Sequence, residues 1–364
     1  MFGLVIDDFV ALSRVPRRSF VAGESEGASG ADKMQAAYEE VKLIPNKKKA
    51  FRDELQASFW GADLDGEEGI VKGSLKRAIP LAGLILRLVR AGHCCGNVMQ
   101  IILGSVISLF LFRRRFLALL DACFESYRGT AMDEIYVLSG RCKSDPLMIA
   151  VLMPLAATNL RAAAPDVVAA SDASNWGEAG IYCNISPMIG RELMRHSLRK
   201  SVWTKLLSPS RALLKAYGEL PEDEELPEGE EPYKTNALWT LLAESLTYRL
   251  PFARERRGRR HINIGEVRGV LRTEKLLGLR KPSRRILLGA DSEVALGALT
   301  KARSSSTAIN EELCRSLPWM IALDSYLDLM YYNTSSNRAD DPTRGKEVGG
   351  ATRALPQWHE LEKG

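Results

Sequence analysis

Four carboxylates stand in sequence settings that suit the binding of divalent cations. Asp172 lies within a predicted strand, and Asp291 follows the end of another. Glu266 begins a predicted helix, and Asp340 lies in a late loop. Hard cations such as Mg²⁺ prefer oxygen ligands, and Mg²⁺ keeps several waters beside a few carboxylates. Because two such ions can clamp the attacking and leaving oxygens of a phosphodiester, the four residues predict a two-metal nuclease site.

The motifs around these carboxylates follow a recognisable order along the chain. They are Ser171-Asp172-Ala173-Ser174, His261-Ile262-Asn263 with Glu266, Asp291-Ser292, and Asn337-Arg338-Ala339-Asp340 with Arg344. In this order they resemble the ribonuclease H domain of retrotransposon reverse transcriptases, in particular the DIRS-type group. The resemblance covers about residues 160–345.

The resemblance implies a fold, a cofactor and a substrate. The expected fold class is α/β, or α+β over the whole chain, with a mixed five-stranded sheet and helices in the nuclease region. The four carboxylates are expected to hold two Mg²⁺ or Mn²⁺ ions and to cleave the RNA strand of an RNA–DNA hybrid. Asp341 remains an alternative ligand, although the family pattern favours Asp340. Trp176, close to Asp172, is expected either to stack on a nucleotide or to pack in the core.

The N-terminus carries a second resemblance. Asp7 and Asp8 lie between two short apolar runs, a pattern that predicts a hairpin with acids at its tip. The pattern resembles the Tyr-x-Asp-Asp hairpin of a reverse-transcriptase palm, with Val5 where the family has Tyr. The resemblance implies that Asp7 and Asp8 are metal ligands, and that residues 1–70 form the last third of a palm. An ordinary surface hairpin remains the alternative.

The family supplies the other palm carboxylate, and the fingers, from sequence before this hairpin. The chain starts at Met1, four residues before Val5. We therefore expect no DNA synthesis by this chain alone, unless an upstream polymerase segment or a dimer partner completes the site. The chain is also compatible with a fragment of a longer polyprotein.

Clusters of basic residues suggest contact with a phosphate backbone. The chain carries a net charge of +5, with runs at 47–49, 113–115 and 254–260. Such runs suit polyanions, although a solvated surface is the alternative for each of them. The predicted nucleic-acid contacts are Lys48, Arg113, Arg114, Arg303 and Ser304. The segment around Ser304 would otherwise cap the next helix.

Cysteine usage and hydropathy indicate an intracellular protein without a membrane anchor. The six cysteines show no CxxC spacing and no regular framework, as expected for reduced thiols. The apolar run 98–112 has about 15 residues, which is short for a hydrocarbon core of about 30 Å. A buried helix is therefore the favoured interpretation, and a membrane-associated protein is the alternative.

The remaining organisation follows from periodicity and composition. Residues 71–160 predict a helical thumb and connection, ending in a helix at about 145–161, and residues 161–345 predict the nuclease domain. Within the nuclease, we expect a hairpin over 166–186, a disordered acidic insert at 219–232, and a third strand near 238–249. Residues 346–364 predict a flexible tail. A catalytically silent nucleic-acid-binding remnant is the alternative to an active nuclease.

Overall fold

The computed structural model describes most of the chain. It covers residues 2–5, 8–16, 18, 20–43, 50–138, 140–198, 237–255 and 261–356. Asp7, Lys48 and the acidic insert lie outside these ranges, as do the arginines of the 254–260 run after Glu255.

The N-terminal region is a hairpin, a helix and three antiparallel strands. β1 and β2 pair with Val5 opposite Asp8, which confirms the predicted hairpin. Helix α1 begins at Glu26, because the Ser25 hydroxyl accepts the Ala28 N–H at 3.0 Å and caps it. In chain order the elements are β1 (Phe2–Val5), β2 (Asp8–Ala11), α1 (Glu26–Glu40), β3 (Gln56–Phe59), β4 (Ala62–Asp65) and β5 (Ile70–Gly73).

Residues 71–160, the helical region, pack around one apolar core. Its elements are α2 (Leu75–Ala91), β6 (His93–Cys95), α3 (Gly96–Phe110), a 3-10 segment (Leu111–Leu120), α4 (Asp121–Glu125), β7 (Ile135–Val137), α5 (Arg141–Leu152) and β8 (Ala157–Asn159). Helix α3 holds most of the apolar run 98–112 and buries Met99, Leu103 and Phe110 in this core, as predicted. The expected helix over 145–161 is wrong in its bounds: α5 ends at Leu152, and the chain then adds β8 to β5.

No helix in the described part of the chain is long and apolar enough to cross a membrane.

The C-terminal half is built on a mixed five-stranded sheet, as predicted. Its elements are β9 (Val167–Ala173), β10 (Gly177–Asn184), α6 (Pro187–Arg195), α7 (Ala237–Ser245), β11 (Arg249–Glu255), α8 (Ile262–Arg280), β12 (Arg285–Ala290), α9 (Glu293–Lys301), α10 (Thr307–Leu323), β13 (Tyr326–Tyr331) and α11 (Asp340–Thr343). The strand order is β11-β10-β9-β12-β13. The first three strands pair antiparallel, and β9, β12 and β13 run parallel. Parallel neighbours bring their carboxyl ends to one edge, where side chains from different strands can meet.

Helices cover both faces of this sheet. Along β9, Val167 and Ala169 pack in a cluster with Val270 of α8. Val168 and Ala170 alternate with them and pack toward α6 and α7 on the other face. The sheet is therefore buried on both sides, as expected for a sheet with parallel strands at its centre.

Two predicted elements are misplaced in the sequence interpretation. The third strand is β11, and α7 occupies most of the predicted 238–249 segment, because Trp239, Leu242 and Leu246 are buried at helical spacing. Helix α8 begins at Ile262 rather than at Glu266. His261 caps α8, because its Nδ1 accepts the Asn263 N–H at 3.3 Å.

The start of the predicted flexible tail is attached to the sheet region. Residues 346–356 form no helix or strand. Nevertheless, the Thr352 N–H donates to the Glu244 carbonyl at 2.8 Å, Arg353 pairs with the Glu244 carboxylate, and Val348 packs against the α6–α7 side of the core. Residues 346–350 and 352–353 thus include contacts with the sheet region, the flexibility of the tail stays a prediction, and 357–364 lie outside the described residues.

The helical region and the sheet region are in direct contact. Leu317 and Met320 of α10 belong to the core of the helical region. The Arg115 guanidinium pairs with the Glu274 carboxylate of α8 at 2.7 Å, and both side chains are buried or nearly so. Since removing one member of a buried pair leaves an uncompensated charge, these residues join the two regions firmly.

Candidate metal centre

Three of the four predicted carboxylates converge at one edge of the sheet. Asp172 lies near the end of β9, Asp291 directly follows β12, and Glu266 lies in the second turn of α8. β9 and β12 are parallel neighbours, so the two aspartates leave the same end of the sheet. Each residue offers a carboxylate oxygen, and these oxygens all lie within 4.8 Å of one another. The triad can hold a metal ion, because clustered carboxylate oxygens are the ligands that hard divalent cations prefer.

Helix α8 brings Glu266 to the aspartates through a close approach to β9. A Cβ atom at Gly269 would lie 2.6 Å from the Ser171 Oγ and 3.4 Å from the Asp172 carbonyl oxygen. An alanine methyl there would meet the Ser171 hydroxyl, so either that hydroxyl rotates away or the helix and the strand move apart. Gly269 stands one turn after Glu266, so it sets the distance between the helix and the strand that carry the two carboxylates.

The fourth carboxylate borders the same cavity but is paired with an arginine. A cavity of about 650 Å³ is lined by the triad together with Trp176, Ile262, Thr334, Asp340, Arg344 and residues of the β9–β10 turn. The Arg344 Nε donates to Asp340 Oδ1 at 2.9 Å. Asp341 does not line this cavity; its carboxylate lies near Gly349. Of the two adjacent aspartates, Asp340 is therefore the one that faces the triad.

Electrostatic repulsion within the cavity is visible at Asp172. Burial raises the pKa of Asp172, and the neighbouring Asp291 and Asp340 raise it further, to about 6. The Thr343 hydroxyl opposes this shift by hydrogen bonding to the carboxylate. A divalent cation would offset the same repulsion, because it favours the ionised form of every carboxylate around it. The donor set thus fits the divalent cations that the sequence resemblance implies.

Two polar side chains that the sequence analysis did not assign hold the carboxylates in place. The Asn337 Nδ2 lies 3.2 Å from Asp291 Oδ1 and 3.2 Å from the Ser171 carbonyl oxygen, and donates to both. The Thr343 hydroxyl lies 3.0 Å from Asp172 Oδ2 and 2.7 Å from the Asp340 carbonyl oxygen. Asn337 begins the motif that contains Asp340, so the motif could have identified Asn337 as a site residue. No sequence pattern identified Thr343.

The residues predicted to contact nucleic acid fall into different environments. Arg113 is 7% exposed, with its guanidinium 3.9 Å from the centre of the Tyr326 ring and a bond to the Met320 carbonyl at 3.2 Å. Its prediction as a nucleic-acid contact is therefore wrong, because the group that would meet a phosphate is enclosed between the two regions. Arg114, the next residue, is exposed.

The other residues predicted to contact nucleic acid are either exposed to solvent or have a structural role. Arg303 is exposed, with its guanidinium 5.8 Å from the Phe124 ring centre. Ser304 is half-buried: its N–H donates to Asn310 Oδ1 at 2.7 Å, and its hydroxyl accepts the Ser306 N–H at 3.1 Å. These bonds favour the capping alternative for Ser304. Lys48 and Asp7 lie outside the described residues, and Asp8 begins β2.

Comparison with known proteins identifies no family for this chain. No family model matches the sequence, and no curated protein matches it. One similar solved structure is described as the foamy viral protease-reverse transcriptase in complex with RNA/DNA hybrid. It is 11% identical, with a TM-score of 0.24, and the match covers 88% of this chain and 56% of that chain. This chain therefore spans about half the length of that protein, and similarity at this level carries no functional argument.

Proposed function

We propose that this chain is a divalent-cation-dependent nuclease that hydrolyses the RNA strand of RNA–DNA hybrids. The observation that carries the proposal is the convergence of Asp172, Glu266 and Asp291 from two parallel strands and a helix. The substrate class comes from the sequence motifs around these residues, which resemble those of retrotransposon ribonuclease H. In this proposal, the β1–β2 hairpin and the helical region correspond to the end of a reverse-transcriptase palm and to its thumb and connection.

Each residue of the site has a defined part in this proposal. Asp172, Glu266 and Asp291 would hold Mg²⁺ or Mn²⁺, and Asp340 would join them once its carboxylate leaves or shares its bond with Arg344. Bound cations stabilise negative charge that develops on a phosphoryl group and make a water molecule a better nucleophile. Asn337 fixes the orientation of Asp291, and Arg344 balances the negative charge of the cavity.

Cleavage of a labelled hybrid by the purified full-length chain tests the proposal. We expect cleavage of the RNA strand with Mg²⁺ or Mn²⁺, and none after chelation. Asp172→Asn should abolish cleavage while the protein keeps its circular dichroism spectrum, because the substitution removes a ligand and relieves repulsion. Asp341→Asn is the matched control, since Asp341 is an adjacent aspartate that does not line the cavity.

The opposite results would favour other functions. A folded protein that binds the hybrid but leaves it intact with both ions would be a catalytically silent binding protein. Full activity in Asp172→Asn would show that the cleavage does not depend on the triad, and equal loss in Asp341→Asn would show that the loss is not specific to residues that line the cavity.

A further inference from the structure

Trp176 presents a large aromatic side chain to solvent at the edge of the candidate metal centre. It is 77% exposed, in the turn between β9 and β10, and it lines the same cavity as the three carboxylates. This exposure removes the alternative that Trp176 packs in the core. The exposed indole of Trp176 can therefore contact a molecule that binds in the cavity.

The turn that carries Trp176 is held by hydrogen bonds. The Ser174 hydroxyl accepts the N–H groups of Trp176 and Gly177, each at 3.0 Å. The same hydroxyl lies 2.9 Å from the Thr343 carbonyl oxygen, to which it donates. Thr343 in turn contacts Asp172. The backbone of Trp176 is therefore tied to the residues that position the carboxylates, which fixes where its side chain leaves the turn.

We propose that Trp176 binds substrate by stacking on a nucleobase that is unpaired or terminal, next to the phosphate to be cleaved. This inference rests on the proposed nuclease function and specifies its substrate. Stacking of a base on an aromatic side chain corresponds to roughly 5- to 150-fold in affinity and tolerates any base, since every base has an aromatic face.

The restriction to unpaired or terminal bases follows from duplex geometry. Within a continuous hybrid, both faces of each base are already covered by its neighbours. An indole outside the duplex can then reach only base edges and sugars. A base face becomes free at a strand end, at a nick or at a bulge, where the loss of stacking has already occurred. The site should therefore favour phosphates beside such discontinuities.

Cleavage of two matched hybrids tests this preference. One hybrid is continuous, and the other carries a single unpaired nucleotide at a fixed position in the RNA strand. We expect the full-length chain to cut beside the unpaired nucleotide with a KM about 5-fold lower or better. Trp176→Ala should lose this difference and Trp176→Phe should keep part of it. Trp60→Ala, a control at a half-exposed tryptophan in the β3–β4 turn, should retain it.

A binding measurement separates this inference from the proposed function. The unpaired nucleotide is replaced by 2-aminopurine, whose fluorescence falls when an aromatic ring stacks on it, and Ca²⁺ replaces Mg²⁺. Quenching by the unsubstituted chain that is absent in Trp176→Ala would support stacking, even if the protein cleaves no hybrid. Bound hybrid with equal fluorescence in both proteins would overturn the inference and leave the nuclease proposal intact. Failure to bind either hybrid would overturn both.

Discussion

At the scale of single residues, Asp172 is a carboxylate whose ionisation the folded structure opposes. It is buried, and two other carboxylates face it across the cavity. Its pKa of about 6 lies above that of an aspartate in an unfolded chain, which is about 3.9. The folded protein therefore binds a proton at Asp172 more tightly than the unfolded chain does.

This difference predicts a pH-dependent stability of the metal-free protein. The stabilising effect of the proton is complete below about pH 4 and is lost as the pH rises through about 6, because the raised pKa belongs to the folded state. Two pKa units correspond to about 3 kcal/mol. We compare the free energies of unfolding of Asp172→Asn and the unsubstituted protein by urea unfolding in the presence of a chelator. The value for Asp172→Asn should rise relative to that of the unsubstituted protein by up to about 3 kcal/mol between pH 4 and 7. A pH-independent difference between Asp172→Asn and the unsubstituted protein would contradict the assignment.

Arg113 and Arg114 show that a run of basic residues does not predict which of its side chains are exposed. Both arise from one basic cluster, yet one is enclosed against Tyr326 and the other is exposed. A guanidinium can be buried when it stacks on an aromatic ring and donates to carbonyls, and neither partner is close in sequence. By contrast, Asp172 and Asp291 were predictable, because an aspartate at the end of an apolar strand can be recognised locally.

We expect the two arginines to differ in their effects on nucleic-acid binding. Arg114→Ala should reduce the slope of log K against log salt concentration by about one, if Arg114 contacts a phosphate. Arg113→Ala should instead lower the free energy of unfolding, because it removes a cation from between Met320 and Asp324. Titration of a labelled duplex at several salt concentrations, together with urea unfolding, separates the two effects. An unchanged salt slope in Arg114→Ala would exclude this residue from the binding surface.

At the scale of elements, the site depends on how closely helix α8 lies against β9. Gly269 permits this approach, and a methyl group there would meet Ser171. Glycine inside a helix is otherwise unfavourable by roughly 0.5–1 kcal/mol relative to alanine. The close contact between α8 and β9 therefore takes precedence over the preference of a helix for alanine at this position.

Alanine substitution should have opposite effects at two helical glycines. Gly269→Ala should destabilise the protein by about 1–3 kcal/mol and weaken Mn²⁺ binding, since it separates Glu266 from Asp172. Gly83→Ala, at an exposed position in α2 with open space around it, should stabilise by up to about 1 kcal/mol. Thermal unfolding and calorimetric titration with Mn²⁺ provide the comparison. Unchanged Mn²⁺ affinity in Gly269→Ala would show that the helix tolerates the methyl group without moving the triad.

Element boundaries were harder to predict than element types. The hairpin of β9 and β10 follows from two β-like runs and a short turn, and it is present as expected. The third strand was misplaced because α7 is apolar and immediately follows the acidic insert, so a run of buried residues there did not distinguish a helix from a strand. The start of α8 was missed because its cap is a histidine, which is an uncommon residue in that position.

At the scale of the whole molecule, a buried ion pair connects the two halves of the chain. Glu274 is fully buried and is bound by Arg115 at 2.7 Å and by the Ser325 hydroxyl at 2.8 Å. Removing one partner of a buried pair typically destabilises by about 3–5 kcal/mol. Arg115→Ala should therefore lower the free energy of unfolding by about this amount. Arg128→Ala, which breaks an exposed pair with Glu125, should change it by no more than about 1 kcal/mol in urea unfolding.

Under the proposed function, the same pair determines which fragments of the chain can act as a nuclease. Helix α8 carries Glu266 in its second turn and Glu274 two turns later. The same helix therefore extends from the cavity to the helical region. A version that starts near residue 161 would lack Arg115, leave Glu274 without its cation, and uncover Leu317 and Met320. A fragment that kept the proposed activity would therefore have to include Arg115, although this residue does not line the cavity.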